Sequence, residues 1–392
     1  MGLLSRPVGQ RAHGTLNLLE GELKVAIDLR RIGNPGIGRY MKCLVEALIA
    51  DAPQFEYCLI VPPAHQDAIS SNGHSRKVVS QLKYYSISEQ ILLPRLLSRE
   101  KVDLFHSPHF LVPLWRTCPQ VVTIHDVIHL VYPQDLPSLG GRLYARGMVH
   151  AAVRLSDHII TVSEFSKHDI LRHYDIDARN VHVIHSGIDE RLSRVENPNE
   201  IAIVRRKYGI DREYILYTGI YKERKNHAGL LRAFAKLVQA GVSGDLVIAG
   251  PLAEGEAKLE QLGKELGIAA RVRLLGFVPD EEMPALYSGA RVYGCPSMYE
   301  GFGFTILEAM SCGTPVVCNP VTSLPEVAGE AALFADASSP DDFAAALHRA
   351  MIDESCRAEL RQRGYANVKR FSWRRAAEET AHVYALALGA SA

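Results

Sequence analysis

Apolar and polar positions along this chain alternate between two periods. Lys24–Asp28 is a short β-rich run, and from Ile37 the apolar residues recur at Met41, Leu44, Val45 and Leu48. That spacing places them on one face of a helix. Phe55–Val61, Val121–His125, His158–Val162 and Val181–His185 read as further strands. The pattern then restarts: Tyr214–Gly219 reads as a strand and His227–Gln239 as a helix. Asp245–Gly250, Val272–Leu275, Arg291–Cys295 and Pro315–Asn319 are the next strands, with helical patterns at Glu254–Leu266 and Glu281–Ser288. Ser323-Leu324-Pro325-Glu326 has the form of a capping box with proline in the first turn, and Ser339-Pro340-Asp341-Asp342 repeats the logic. Strands alternating with helices predict parallel sheets covered on both faces. The expected fold class is α/β, two doubly wound domains in series. The polar stretch Asp189–Arg212, with Asn-Pro-Asn at 197–199, reads as the linker between them. The last helix, Trp373 to Leu388, has no strand after it. The divisions expected are an extension over 1–22, domains over 23–195 and 196–370, and a terminal helix segment over 371–392.

Composition narrows the function classes. At 392 residues the chain is long for one core, which agrees with two domains. Lys+Arg and Asp+Glu both number 44, so the net charge is zero and nucleic acid is a poor partner. No apolar run approaches the roughly 20 residues of a membrane-spanning helix. Met1–Leu23 has only short apolar runs and does not read as a signal peptide. The seven cysteines are scattered and form no Cys-x-x-Cys, which fits a reduced, cytosolic compartment.

The most informative stretch is Glu300-Gly301-Phe302-Gly303-Phe304-Thr305-Ile306-Leu307-Glu308. Two carboxylates bracket two glycines and two phenylalanines at the start of a helix. Glycines ahead of a helix let backbone N–H groups approach an anion closely. A carboxylate on either side of that anion can hold hydroxyls, so a phosphate flanked by polyols, such as a nucleotide sugar, fits. A second segment, Gly219-Ile220-Tyr221-Lys222-Glu223-Arg224-Lys225-Asn226, sets Arg224 and Lys225 side by side after a strand. Arg can grip two phosphate oxygens and Lys adds a point charge, which suits a diphosphate; alone, the run would pass for a solvated charged surface.

Two weaker signals lie in the first half. Gly33-Asn34-Pro35-Gly36-Ile37-Gly38-Arg39-Tyr40 follows the first strand and opens a helix, so Gly36 and Gly38 are candidates for contact with a phosphate or sugar. The segment lacks the Gly-x-Gly-x-x-Gly spacing of a dinucleotide site. A tight turn without ligand is the plainer alternative. His125-Asp126 ends a buried strand, at the sheet edge where α/β proteins bind ligands. Histidine is lopsided, with 13 of 16 before residue 190. His106-Ser107-Pro108-His109 and His125-x3-His129 lack helical metal spacing, and Asp175-Ile176-Asp177 reads as a solvated turn, so no metal site is expected.

Together these residues resemble the family-four retaining glycosyltransferases, whose two Rossmann-like domains face a cleft in the GT-B arrangement. The Glu-x7-Glu spacing is similar to that family's signature. The likeness covers about residues 23 to 388 and is strongest from Tyr214-Ile215-Leu216-Tyr217-Thr218-Gly219 through Leu333. Ile27-Asp28-Leu29-Arg30 with Gly36-Ile37-Gly38-Arg39-Tyr40, and Thr161-Val162-Ser163-Glu164-Phe165-Ser166, look like its N-terminal domain. The resemblance implies an acceptor in the N-terminal domain and a nucleotide sugar in the C-terminal one. Arg224 and Lys225 would then bind the diphosphate, Glu308 the ribose, and Gly219, Gly250, Phe277 and Val278 the nucleoside side. Glu300 would sit by the donor sugar with Gly301, Phe302 and Gly303, and His125 would reach it from the opposite domain. Many members carry an Arg directly after the strand glycine, where this chain has Ile220.

The resemblance further implies retention of anomeric configuration, no metal and no cofactor. Glu300 is then either a nucleophile or a positioning group. The Arg-Lys-Asn run and the Arg30–Tyr40 segment look like bacterial mannosyltransferases of O-antigen and exopolysaccharide assembly. GDP-mannose is the first expected donor, a UDP-hexose or rhamnosyl donor the second, and a lipid-linked saccharide or oligosaccharide the acceptor. A cytoplasmic enzyme touching the inner membrane face follows, and the basic, apolar stretch Arg76–Lys101 could rest on anionic lipid. A sugar-nucleotide epimerase or a phosphorylase are the rival enzymes with such an architecture.

Overall fold

The computed structural model describes residues 23–389 apart from Pro35, Pro137 and Glu254; the extension expected over 1–22 lies outside the described residues. Among the described residues thirteen strands form two all-parallel sheets. β1 Leu23–Asp28, β2 Phe55–Val61, β3 Ser75–Val79, β4 Leu104–Ser107, β5 Gln120–Thr123, β6 His158–Thr161 and β7 Val181–Val183 make the first. β8 Tyr214–Thr218, β9 Asp245–Ala249, β10 Val272–Gly276, β11 Val292–Cys295, β12 Val316–Cys318 and β13 Ala332–Phe334 make the second. Their orders are β3-β2-β1-β4-β5-β6-β7 and β10-β9-β8-β11-β12-β13. The order therefore reverses between β1 and β4 in one sheet, and between β8 and β11 in the other. Loops leaving the two strands at such a point diverge and open a crevice. The first glycine-rich segment follows β1, the Arg224-Lys225 segment follows β8, and the glutamate segment follows β11. All three motifs thus leave strands at a reversal point.

Three strands carry little sequence signal. β4 reads Leu-Phe-His-Ser and is wholly buried, its polar residues satisfied internally: His106 Nδ1 meets Tyr384 Oη at 2.6 Å and Nε2 meets Thr123 Oγ1 at 2.9 Å. β3 is an edge strand that spends two positions on Arg76 and Lys77, which also discourages pairing with other chains. β13 has only three residues. The expected linker Asp189–Arg212 is corrected in its middle: Pro198–Lys207 is a helix. Asn197 caps it by accepting from the Asn199 N–H, and Pro198 occupies the first turn, where its missing N–H costs nothing. The Arg76–Lys101 stretch divides into β3 and the helix Glu89–Glu100, in which Leu93 and Leu97 are buried while Ile91 and Leu92 face outward.

The terminal helix Trp373–Ala387 returns to the first sheet and packs on the helix Ile37–Asp51. Tyr384 anchors it through His106 and an edge contact with Phe55, at 5.8 Å between ring centroids. The end of β1 is closed by a buried charge cluster. Arg30 bonds Asp28 and Glu89, each at 2.6 Å, and lies over the Tyr84 ring. Three charges at 2% exposure or less persist only because each is paired.

Candidate active site

β8 ends at Thr218, and Gly219 continues its ladder by donating to the Ala249 carbonyl at 2.9 Å. Gly250, after β9, donates to the Gly276 carbonyl at 2.7 Å. Gly250 adopts φ +128°, and a Cβ there would lie 2.4 Å from the Gly219 carbonyl oxygen. The strand ends are thus drawn together by glycine, which leaves a flat floor. A short turn at Glu223–Lys225 then delivers two cations, and the helix His227–Gln239 begins under an Asn226 cap.

The cations meet the first glutamate. Lys225 Nζ lies 2.5 Å from Glu300 Oε1, and Arg224 Nη1 lies 3.8 Å from Glu300 Oε2. Arg224 also donates to Asp135 Oδ2 at 2.9 Å and to the Tyr299 carbonyl at 3.2 Å. The Met298 N–H donates to the Arg224 carbonyl at 2.7 Å, which ties the two loops together. Burial on its own would raise the Glu300 pKa; Lys225 and then Arg224 outweigh it, and the carboxyl titrates below its ordinary range. Glu300 is therefore a buried anion held between two cations.

Gly303 opens the helix Phe304–Ser311 in the left-handed region, φ +106°, and a Cβ would press to 2.9 Å from Leu324 Cδ2. Ser323 is not the helix cap that its sequence suggests. Its hydroxyl donates to the carbonyls of Glu300 and Phe302, both at 2.9 Å, and so braces the glutamate loop. Glu326 is likewise not turned back on its own helix. It crosses to the other lobe and accepts from the N–H of Glu164 at 2.9 Å and of Phe165 at 3.3 Å, at the start of the helix Glu164–His173. The second expected cap holds, since Ser339 accepts from the Asp342 N–H.

Glu308 lies one face further along the helix, 5% exposed. It accepts from Tyr287 Oη at 2.7 Å and pairs with Arg39 of the opposite lobe, which also reaches Asp280 at 3.3 Å. Glu308, Arg39 and Asp280 edge a cavity of about 240 Å3 whose lining also includes Asp189, Arg191 and Met283. Phe277 is 74% exposed and can offer a ring to a flat ligand. Val278 is buried in the core, so only its backbone can reach a ligand, and the Phe302 side chain is likewise core, packed on Phe304 and Phe371.

The opposite lobe comes against the glutamate loop. The Gly301 carbonyl accepts from Ser163 Oγ at 2.7 Å and Ser166 Oγ at 3.2 Å. A Cβ on Gly301 would stand 2.8 Å from Asp126 Oδ2 and 3.0 Å from the His125 carbonyl. Tyr299 Oη donates to Asp169 at 2.8 Å. His125 donates from Nε2 to the Pro108 carbonyl at 3.1 Å and packs edge-on against Tyr40. Burial lowers its pKa, so it is neutral near pH 7 and offers a ligand a hydrogen bond rather than a charge. Gly36 sits at the N-terminus of the helix Ile37–Asp51 with φ +74° and open space around it. Gly38 has a packing reason instead: a Cβ would fall 2.0 Å from the Ile32 carbonyl.

The structure thus gathers Arg224, Lys225, Glu300 and Gly301 into one contact set that His125-Asp126 faces, with Glu308 beside it. Asp135, Tyr287 and Glu326 complete it unheralded. Asp135 lies in a short turn, Tyr287 looks like an ordinary apolar helix position, and Glu326 imitates a local cap. Ser163 and Ser166 belong to a segment quoted for family likeness only.

A family profile described as glycosyl transferases group 1 matches residues 200–367, and one described as glycosyltransferase family 4 matches 35–192. The O-antigen chain mannosyltransferase B of Escherichia coli is 34% identical over 369 residues, spanning 90% of this chain and 96% of that protein. Sucrose-phosphate synthase from Thermosynechococcus elongatus superposes with TM-score 0.74 at 23% identity, covering 94% of this chain and all of that one. Anabaena Alr3699/HepE in complex with UDP and glucose does so with TM-score 0.74 at 18% identity, over 93% of this chain and all of that one. The chain belongs to the family-four glycosyltransferases and has their two-domain GT-B fold.

Proposed function

We propose that this glycosyltransferase moves mannose from GDP-mannose to a saccharide, free or lipid-linked, in the assembly of a bacterial surface polysaccharide. The identity to an O-antigen mannosyltransferase along nearly its whole length supports the mannosyl donor. In this reading 196–370 holds the donor and 23–195 the acceptor, with 371–392 crossing between them. Among the described residues no helix is long and apolar enough to cross a membrane. Exposed Ile87, Ile91 and Leu92 favour work at the cytoplasmic face of the membrane, where a lipid-linked acceptor is presented.

What supports the chemistry above all is the contact of Lys225 and Arg224 with Glu300 at the strand-order reversal. As the glycosidic bond to the diphosphate breaks, an oxocarbenium-like carbon forms and negative charge builds on the leaving phosphate. Arg224, Lys225 and the N–H groups at the start of the Phe304–Ser311 helix stabilise that charge, so no metal is required. Glu300 then aligns the sugar while the phosphate takes the acceptor proton, and configuration is retained. The neutral His125, whose Nε2–H is given to the Pro108 carbonyl, accepts from a sugar hydroxyl through Nδ1. Lys225→Ala is expected to lower turnover roughly 10²–10³-fold, about 3–4 kcal/mol in the barrier. Steady-state kinetics with GDP-mannose, against UDP-hexoses in parallel, is the test. Near-normal turnover in the variant sinks the phosphate assignment, and activity with UDP-hexoses alone sinks the donor.

A further inference from the structure

On the acceptor lobe, away from the Glu300 loop, a cavity of about 510 Å3 is lined by Leu130, Arg146, Gly147, His150, His173 and Tyr174. Its polar lining is one Arg, two His and one Tyr, with no carboxylate. Such a set suits an anion: Arg grips two oxygens while imidazole and phenol add single bonds. His173 Nδ1 lies 2.8 Å from the Asp169 carbonyl and donates there, so Nε2 donates to an anion in the imidazolium form of the ring. Tyr174 and His150 pack with ring centroids 6.2 Å apart, which sets the width of one wall. Next to Leu130 in the chain, His129 is 7% exposed and its Nε2 has no partner among the described residues. Burial foremost lowers its pKa, Asp126 works against that, and Arg146 and His173 lower it further.

Two features connect this pocket to the chemistry. Asp169, one turn before His173 on the helix Glu164–His173, accepts from Tyr299, the neighbour of Glu300. Four residues of helix span only about 6 Å. Secondly, Leu139, Leu143, Arg146 and His150 are spaced by four, three and four, which aligns them on one face of the helix Leu139–Leu155. Leu139 is 70% exposed and Leu143 63%. An apolar track therefore runs into a cationic pocket.

We propose that this pocket binds the phosphoryl group of an acceptor whose phosphate is esterified to an apolar chain, with the chain lying along Leu143 and Leu139. It rests on the assignment of the acceptor to this lobe, and its test is independent of transfer. Calorimetry of the full chain with farnesyl phosphate, inorganic phosphate and farnesol separates the sources. The expected result is that farnesyl phosphate binds at least tenfold tighter than either fragment. Arg146→Gln weakens farnesyl phosphate and inorganic phosphate at least tenfold, whereas the uncharged Leu143→Asn weakens only the farnesyl ligands. Arg146→Lys, with unchanged thermal unfolding, restores part of the affinity and shows that charge rather than folding was lost. Unchanged farnesyl phosphate affinity in Arg146→Gln overturns the site. Equal affinity for inorganic phosphate reduces it to a free-anion site, and equal affinity for farnesol to an apolar surface; either overturns the proposal. Loss of mannosyl transfer from GDP-mannose with farnesyl phosphate binding intact removes the donor assignment and leaves the pocket standing.

Discussion

Glu308 shows how a residue can be visible in sequence while its surroundings are not. Its spacing from Glu300 across two glycines marks both carboxylates. What holds it, Tyr287 at 2.7 Å and Arg39 from the other lobe, comes from distant parts of the chain. A ribose that bonds Glu308 shares the carboxylate with Tyr287 and competes with Arg39 for it. Replacing Glu308 by alanine is expected to weaken GDP binding roughly 10- to 100-fold, since a hydrogen bond to a charged group contributes about 1.5–3 kcal/mol. Calorimetric affinity equal to that of the parent would remove the ribose role. Asp135, which orients Arg224, escaped sequence reasoning for the same reason: an acid in a loop carries no mark until its partner is known.

At the scale of elements, the strand ends of the second sheet decide the floor of the site. Gly219 and Gly250 looked like strand-terminal residues with a ligand role. Packing adds a second constraint, because Gly250 has positive φ and no room for Cβ. Gly250→Ala should destabilise the second domain by about 1–3 kcal/mol, as strained left-handed residues generally do. Denaturant unfolding measures this, and a midpoint equal to the parent's would refute the close approach. Long, one-faced helices such as Ile37–Asp51 and His227–Gln239 were legible because their period repeats over three or four turns. β4, β13 and the helix Pro198–Lys207 were not. A buried four-residue strand needs no alternation, and a helix rich in charge is stabilised by its cap and its packing rather than by its pattern.

For the whole molecule, the lobes touch through Ser163, Ser166 and Asp169 on one side and Gly301, Tyr299 and Glu326 on the other. Closure therefore depends on the absence of a side chain at 301. Gly301→Ala should leave GDP affinity near that of the parent, since the proposed GDP site belongs to the second lobe alone, while turnover falls at least tenfold because the lobes no longer meet. Equal turnover would show that closure is dispensable. The Glu326 contact adds a pH dependence. Burial raises its pKa, but the His185 hydrogen bond and the N–H groups of Glu164 and Phe165 prevail and the folded value is lowered. A depressed carboxyl contributes stability above its unfolded pKa, near 4.3, and loses it as pH falls through the folded value. The lobes should thus separate more readily in that acid window, by small-angle scattering, and Glu326→Gln should already be looser at neutral pH. An acid-independent profile would exclude Glu326 as a closure contact.

Periodicity and local chemistry are short-range properties, so the sequence alone determined the class of fold, the two successive sheets, the glutamate pair and the adjacent cations. Partnership between residues some twenty to a hundred and sixty positions apart is set by how strands order and lobes meet. Only the tertiary structure therefore decided that Ser323 braces the glutamate loop, that Glu326 crosses the cleft, and that Arg146, His150 and His173 converge on one pocket. Ser323 and Glu326 each had a plausible local role as caps, and the partners they take lie across space rather than along the chain.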